Sequence, residues 1–310
     1  MGVFVLLPLI LPLTAWPIAR LAEHHLHPRA ATWLLTGVAA VLAVCSTLCL
    51  ALLMVVGTAQ LPGNPLPDGW SDPEVREAVP YDEVAGEAAI PALLAVIASC
   101  TSAAWRHYRV RRLSGLALSG LPGTAVVVLP DEAPYAYALP GRRRDRVVAS
   151  SGMLTALNSR ERRALFAHER AHLAGRHHRY LLAVQLAARA NPFLRPLRSA
   201  VTYTAERWAD EDAAAAVGSR RTVAVAIGKA ALISRGTPYA TLAGFAAAGP
   251  VPRRVAALLG PAPAGRSWPP AFTSVGLAVW GAAVGATVSA LSSANSAVTL
   301  YFILHAATPL

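Results

Sequence analysis

The chain has 310 residues, of which 55% are hydrophobic and only 15% charged, with a mean hydropathy of +0.43, a balance that excludes an ordinary soluble enzyme. Its formal charge of +11 comes from arginines clustered beside apolar runs (Arg106, Arg109, Arg111, Arg112) and in one loop (Arg142, Arg143, Arg144, Arg146), without interleaved aromatics or a DNA-reading motif. Direct nucleic-acid binding is therefore not expected, and the charge fits membrane topology and contact with anionic lipid.

Gly2 to Ala19 is uncharged and carries Pro8, Pro12 and Pro17. It lacks the basic start and small-residue cleavage site of a signal peptide, so a first transmembrane helix is expected over 2–19. Arg20 to Arg29, with His24, His25 and His27, suits an inner-side turn. Ala30 to Thr58 is the clearest span, and a third is expected over 88–104, ending at Trp105 and the arginine cluster. Between them, residues 59–87 are acidic (Asp68, Asp72, Glu74, Glu77, Asp82, Glu83 and Glu87 against Arg76), the character of an external loop. These elements make an N-terminal membrane region, 1–105. Cys45, Cys49 and Cys100 all lie within apolar runs, so neither a disulfide framework nor a cysteine metal site is expected.

Residues 106–267 are the stretch able to build a polar domain. Ala125 to Leu129, Tyr135 to Leu139 and Arg146 to Ser150 read as short strands separated by Pro-rich turns, forming a small β-sheet. From Ser159, the expected N-cap, the pattern turns helical. The final region, 268–310, has no Asp, Glu, Lys or Arg from Ala271 onward, enough for one transmembrane helix and either an apolar tail or a second helix, with Ser292, Ser293, Asn295 and Ser296 marking a break.

On the helix after Ser159 the chain reads Ala167-His168-Glu169-Arg170-Ala171-His172. Histidines four apart lie about 40° apart around a helix and one turn along it, so both can reach one ion. A bound zinc lowers the pKa of water toward about 7, and a glutamate beside the first histidine can take its proton without ligating. A catalytic zinc needs one more protein ligand. His178 completes H-E-x-x-H-x-x-G-x-x-H with Gly175, the metzincin pattern. That pattern expects a later methionine, and the methionines are Met1, Met54 and Met153. Glu206 is favoured as the third ligand. It stands four residues before Asp210 on a predicted helix, so that Asp210 can accept the outer N–H of a ligating histidine. His177, His178, Arg176 and Arg179 then form a basic patch at the inner leaflet. Tyr203 and His178 are both open as donors to the developing oxyanion.

The order Ala125-Val126-Val127-Val128, Ala136 to Gly141, Val147 to Leu154, Ala167 to His172 and Glu206 to Asp210 resembles the BlaR/MecR-type membrane zinc peptidases, and more distantly HtpX-type and prenyl-protein peptidases. The resemblance covers roughly 106–260 and the flanking spans, with no penicillin-binding sensor domain following. It implies a mainly α membrane protein: transmembrane helices plus an α+β gluzincin-like domain facing the cytoplasm from the cell membrane. It also implies one catalytic zinc ion on His168, His172 and Glu206, with Glu169 as base and Asp210 behind a histidine. The expected activity is endoproteolysis of a cytosolic or membrane-associated protein, a transcriptional repressor being the family example, with substrate added to an edge strand. Membrane lipids are the other expected partner. The alternative is a non-catalytic membrane signalling or scaffold protein, against which the carboxylate of Glu169 argues.

Overall fold

A computed structural model describes residues 5–73, 75, 82–117, 124–141, 144–234, 251–263, 268–270 and 272–308. Glu74, Arg76 and Glu77 of the acidic segment and Arg142 and Arg143 of the basic loop lie outside the described residues. So do 235–250 and 264–267 of the expected polar domain.

Among the described residues, three helices are long and apolar enough to cross a membrane. These are Pro28–Ala59 (α3), with an 18-residue stretch of mean hydropathy 2.7, Asp82–Ala117 (α4), with one of 1.7, and Ser274–Ala306 (α11), with one of 1.6. The expected single helix over 2–19 is instead a broken rod: Leu7–Ile10 (α1), a 3₁₀ turn Leu11–Thr14, and Ala15–His25 (α2). Proline at 8, 12 and 17 removes backbone donors and tightens the winding. The rod still runs beside α3. Its start packs with Leu53, Val56 and Leu300, and Ala15 to Leu26 pack with Leu35, Leu197 and Val201.

α4 is longer than the expected 88–104 and carries the arginine cluster on the same rod, so the expected boundary at 105/106 falls inside one helix. At about 1.5 Å per residue its 36 residues reach about 54 Å, well beyond a hydrocarbon core of about 30 Å. Near its start α4 crosses α3 where Gly57 meets Gly86; a Cβ on either would strike the other's backbone. α11 runs unbroken through the serines expected to interrupt it. Ser289, Ser292, Ser293 and Ser296 are buried, and Ser293 Oγ donates to the carbonyl of Ser289 at 2.8 Å, which satisfies the hydroxyl within the helix.

The polar domain begins with a three-stranded sheet of order β1-β3-β2: Val126–Leu129 (β1) is parallel to Arg146–Ser150 (β3), and Ala136–Leu139 (β2) is antiparallel to it. β2 is therefore an edge. The Ser150 hydroxyl accepts from the N–H groups of Tyr135 and Met153, tying the start of β2 to the helix Ser151–Ala156 (α5). Ser159–Ala174 (α6) is capped by Asn158 rather than Ser159: its Oδ1 accepts from the N–H groups of Arg160 and Glu161, and Glu161 accepts from the N–H of Asn158. His177–Ala190 (α7), Arg195–Val217 (α8), Arg220–Ile233 (α9) and Val251–Leu259 (α10) follow. Alanines 164, 213, 214, 224 and 226 let α6, α8 and α9 approach closely. The domain is bonded directly to a span: Thr32 Oγ1 of α3 donates to Thr204 Oγ1 of α8 at 2.9 Å, and Trp33 packs edge-on to Trp208.

Candidate metal centre

His168 and His172, one turn apart on α6, are both buried with their Nε2 atoms 3.1 Å apart. α8 sets Glu206 against them, Oε2 at 3.5 Å from His168 Nε2 and Oε1 at 3.4 Å from His172 Nε2. Ligands held at about 2.0–2.1 Å around a tetrahedral centre lie about 3.3 Å from one another. The observed separations fit a single ion. Two imidazoles and a carboxylate suit a first-row divalent metal, and three protein ligands leave a position open.

Each histidine has an outer partner. His168 Nδ1 lies 3.1 Å from Asp210 Oδ1. Asp210 is gripped in turn by Arg254 of α10, Nε to Oδ2 at 2.9 Å and Nη2 to Oδ1 at 2.6 Å, while Nη1 of the same guanidinium is 2.7 Å from Glu206 Oε2. Burial opposes ionisation of both acids, yet Arg254 and the histidines hold the carboxyls of Asp210 and Glu206 below their usual range. Against its own burial, His168 is raised to about 10 by Asp210 and Glu206.

His172 has a neutral partner. Its Nδ1 is 2.9 Å from Nδ1 of His177. With Nε2 of His172 turned to the ligand position, Nδ1 carries the hydrogen and donates to His177. His177 is fully buried, its ring 4.4 Å from that of Trp208, and burial followed by the charge of His168 lowers it to about 3. Gly175 makes room for this ring: a Cβ there would collide with Nε2 and Cδ2 of His177. The turn itself falls on Arg176, at φ 51°.

Glu169 is 4% exposed and its Oε2 has no hydrogen-bond partner. The Ala138 N–H of β2 donates to its carboxylate, but burial, with the charge of Glu206 adding to it, pushes Glu169 up to about 6. It separates two cavities. One of about 90 Å³ is bounded by Tyr137 to Pro140, His172, His178 and Arg111 of α4. The other, about 630 Å³, is bounded by Tyr135, Met153, Leu165, His168, Ile227 and Val255.

The structure thus brings His168, Glu169, His172, Glu206 and Asp210 into one buried cluster. His178 is not in the ligand group but in the wall of the small cavity. Tyr203 lies elsewhere, under the Arg253 guanidinium at 4.4 Å and facing a groove with Glu23 and His24. His177 is a correction: expected in a surface patch with Arg176 and Arg179, it is buried behind His172. Arg254 went unread in the sequence, where the one hint is a pair of arginines on a short amphipathic helix, of which one must face inward.

Residues 101–190 match the profile of Peptidase family M48. The match spans the latter part of α4, the sheet, α6 and α7, including His168, Glu169 and His172, and stops before Glu206. No curated protein and no solved structure matches the chain.

Proposed function

We propose that the chain is a membrane-embedded zinc endopeptidase whose metal is held by His168, His172 and Glu206. One observation carries the reading: two imidazole nitrogens and a carboxylate converge at metal-ligand spacing inside a cleft, beside a buried carboxylate that is not a ligand. The M48 match over the same helix supports a metallopeptidase, and the three apolar helices support a membrane protein.

When bound, zinc supplies a Lewis acid that acidifies water and polarises a carbonyl. Glu169, pushed up to about 6, is suited to take a proton near neutral pH and to return it to the leaving amine. Among the described residues β2 has a strand on one side only, and its other side is open to the backbone of an extended peptide. His168 and His172 are kept in register by Asp210 and His177, and Arg254 keeps the two buried carboxylates ionised. The BlaR/MecR-type resemblance favours a cytosolic or membrane-associated protein as substrate, a repressor among them, and a cleft that faces the cytoplasm.

The test is Glu169→Gln in the purified, detergent-solubilised chain. It is expected to bind one zinc as wild type does while losing at least a hundredfold in peptide cleavage. Cleavage at the wild-type rate overturns the assignment.

A further inference from the structure

The two cavities beside Glu169 differ in chemistry, and the difference bears on which peptide bonds the proposed peptidase would cut. The larger one is walled mainly by apolar side chains, its Arg254 being already engaged with Asp210 and Glu206. The smaller one, about 90 Å³, has the volume of roughly three waters, room for one short side chain. Into it come Arg111 and His107 from α4 and His178 from α7. Glu169 is the one acid among its described lining residues. Arg111 Nη2 donates to the Pro140 carbonyl at 3.0 Å, and among the described residues no carboxylate lies within ion-pair distance of it. The nearby Asp145 accepts from the N–H of Gly141 at 3.0 Å. Burial, then Arg111, holds His178 down to about 4, so its imidazole is neutral near physiological pH.

From this we infer that the Arg111–His178 cavity is a subsite for an acidic side chain of the substrate, on the N-terminal side of the scissile bond. The side follows from the edge strand. The small cavity lies at the C-terminal end of β2, by Leu139 and Pro140, and the large one at its beginning, by Pro134 and Ala136. A peptide pairing antiparallel with β2, the commoner mode, runs from the first cavity to the second. Its residues before the cut therefore meet Arg111, and the residue after it meets the apolar wall. A guanidinium can hold a carboxylate by two parallel hydrogen bonds, and the charge of Arg111 disfavours lysine and arginine in the same cavity. His178, which the sequence offered as a rival metal ligand, acquires a use as a neutral donor to that carboxylate.

The inference rests on the peptidase reading, and the experiment separates the two. The zinc-loaded full chain in detergent is incubated with a proteome-derived peptide library, and cleavage sites are read by mass spectrometry. Peptides built on a cleaved sequence, with Glu, Gln or Lys in the first or second position before the cut, then give kcat/KM ratios. Wild type is expected to favour Glu over Gln by about tenfold, as one charge-assisted contact provides. Arg111→Gln should bring that ratio close to one, Arg111→Lys should keep most of it, and Arg111→Glu should turn the preference toward Lys. The Lys variant guards against a trivial loss through the Pro140 contact. A wild-type ratio of one, or a ratio unchanged in Arg111→Gln, overturns the subsite and leaves the peptidase standing. No zinc-dependent cleavage of any peptide overturns the peptidase and the subsite with it.

Discussion

His177 and Asp210 occupy equivalent places behind the two histidines, one a neutral ring and the other a clamped carboxylate. Loss of an outer partner of this kind weakens a metal site about 10- to 100-fold. His177→Phe, which keeps an aromatic ring against Trp208 and removes the acceptor, is expected to weaken zinc by that factor in competition with a chromophoric chelator. Gly175→Ala should act in the same direction by displacing the ring; an unchanged affinity in both would deny His177 a role. Glu169 leads to a pH effect. Its folded value of about 6 lies above the 4.5 of an ordinary glutamate, with burial as the main cause. The stability that its protonated form contributes is fully present below 4.5 and is lost as the pH rises through about 6. At pH 8 the buried charge costs the metal-free protein about 2 kcal/mol. Metal-free Glu169→Gln should therefore melt higher than wild type at pH 8, with the gain gone at pH 4.5. The opposite trend would mean that the carboxylate is better solvated than its burial indicates.

What could be read from the sequence at the level of elements follows from range. His168 to His172 and Glu206 to Asp210 are each one helical turn, so their shared faces are legible from spacing alone. That the two turns meet is a tertiary fact; only the chemistry of a third ligand pointed to it. Arg254 stands 44 positions from Asp210 and no period connects them. Replacing it with Met would take from the two buried carboxylates the cation they share and leave both to His168, at a cost of about 3–5 kcal/mol, visible as a lower melting temperature of the metal-free protein. β1 was legible as a β-branched run, and β2 and β3 as short segments set off by the turns around Pro130–Pro134 and Pro140-Gly141. The cap was misplaced by one residue because Asn158-x-x-Glu161 is a better capping box than any built on Ser159. For the third ligand, Glu206→Ala is expected to release zinc and His178→Ala to retain it, by metal analysis after dialysis. The reverse would return the protein to the metzincin pattern.

At the scale of the molecule, α3 begins against α8 through Thr32 and Thr204, whereas the far end of α11 reaches Trp70, whose Nε1 donates to Thr308 Oγ1 at 2.9 Å. The segment around Asp68–Ser71 and the cleft are therefore at opposite ends of the helical bundle. With arginines retained on the cytoplasmic side, exposed Ser71 should lie outside and exposed Ser159 inside. Single cysteines at these positions, with Cys45, Cys49 and Cys100 replaced, should react with an impermeant thiol reagent on intact cells at 71 only. Labelling at 159 alone would invert the arrangement. The long α4 gives this geometry a mechanical side. One end of the rod is packed on α3 at Gly57, and the other places Arg111 against the carbonyl that closes β2. From Gly86 to Arg111 the lever is about 38 Å long, and a tilt of about 5° moves Arg111 by about 3 Å, enough to part it from Pro140. The packing of α4 on α3, which sets its tilt, is thereby coupled to the width of a cleft at the other end of the helix.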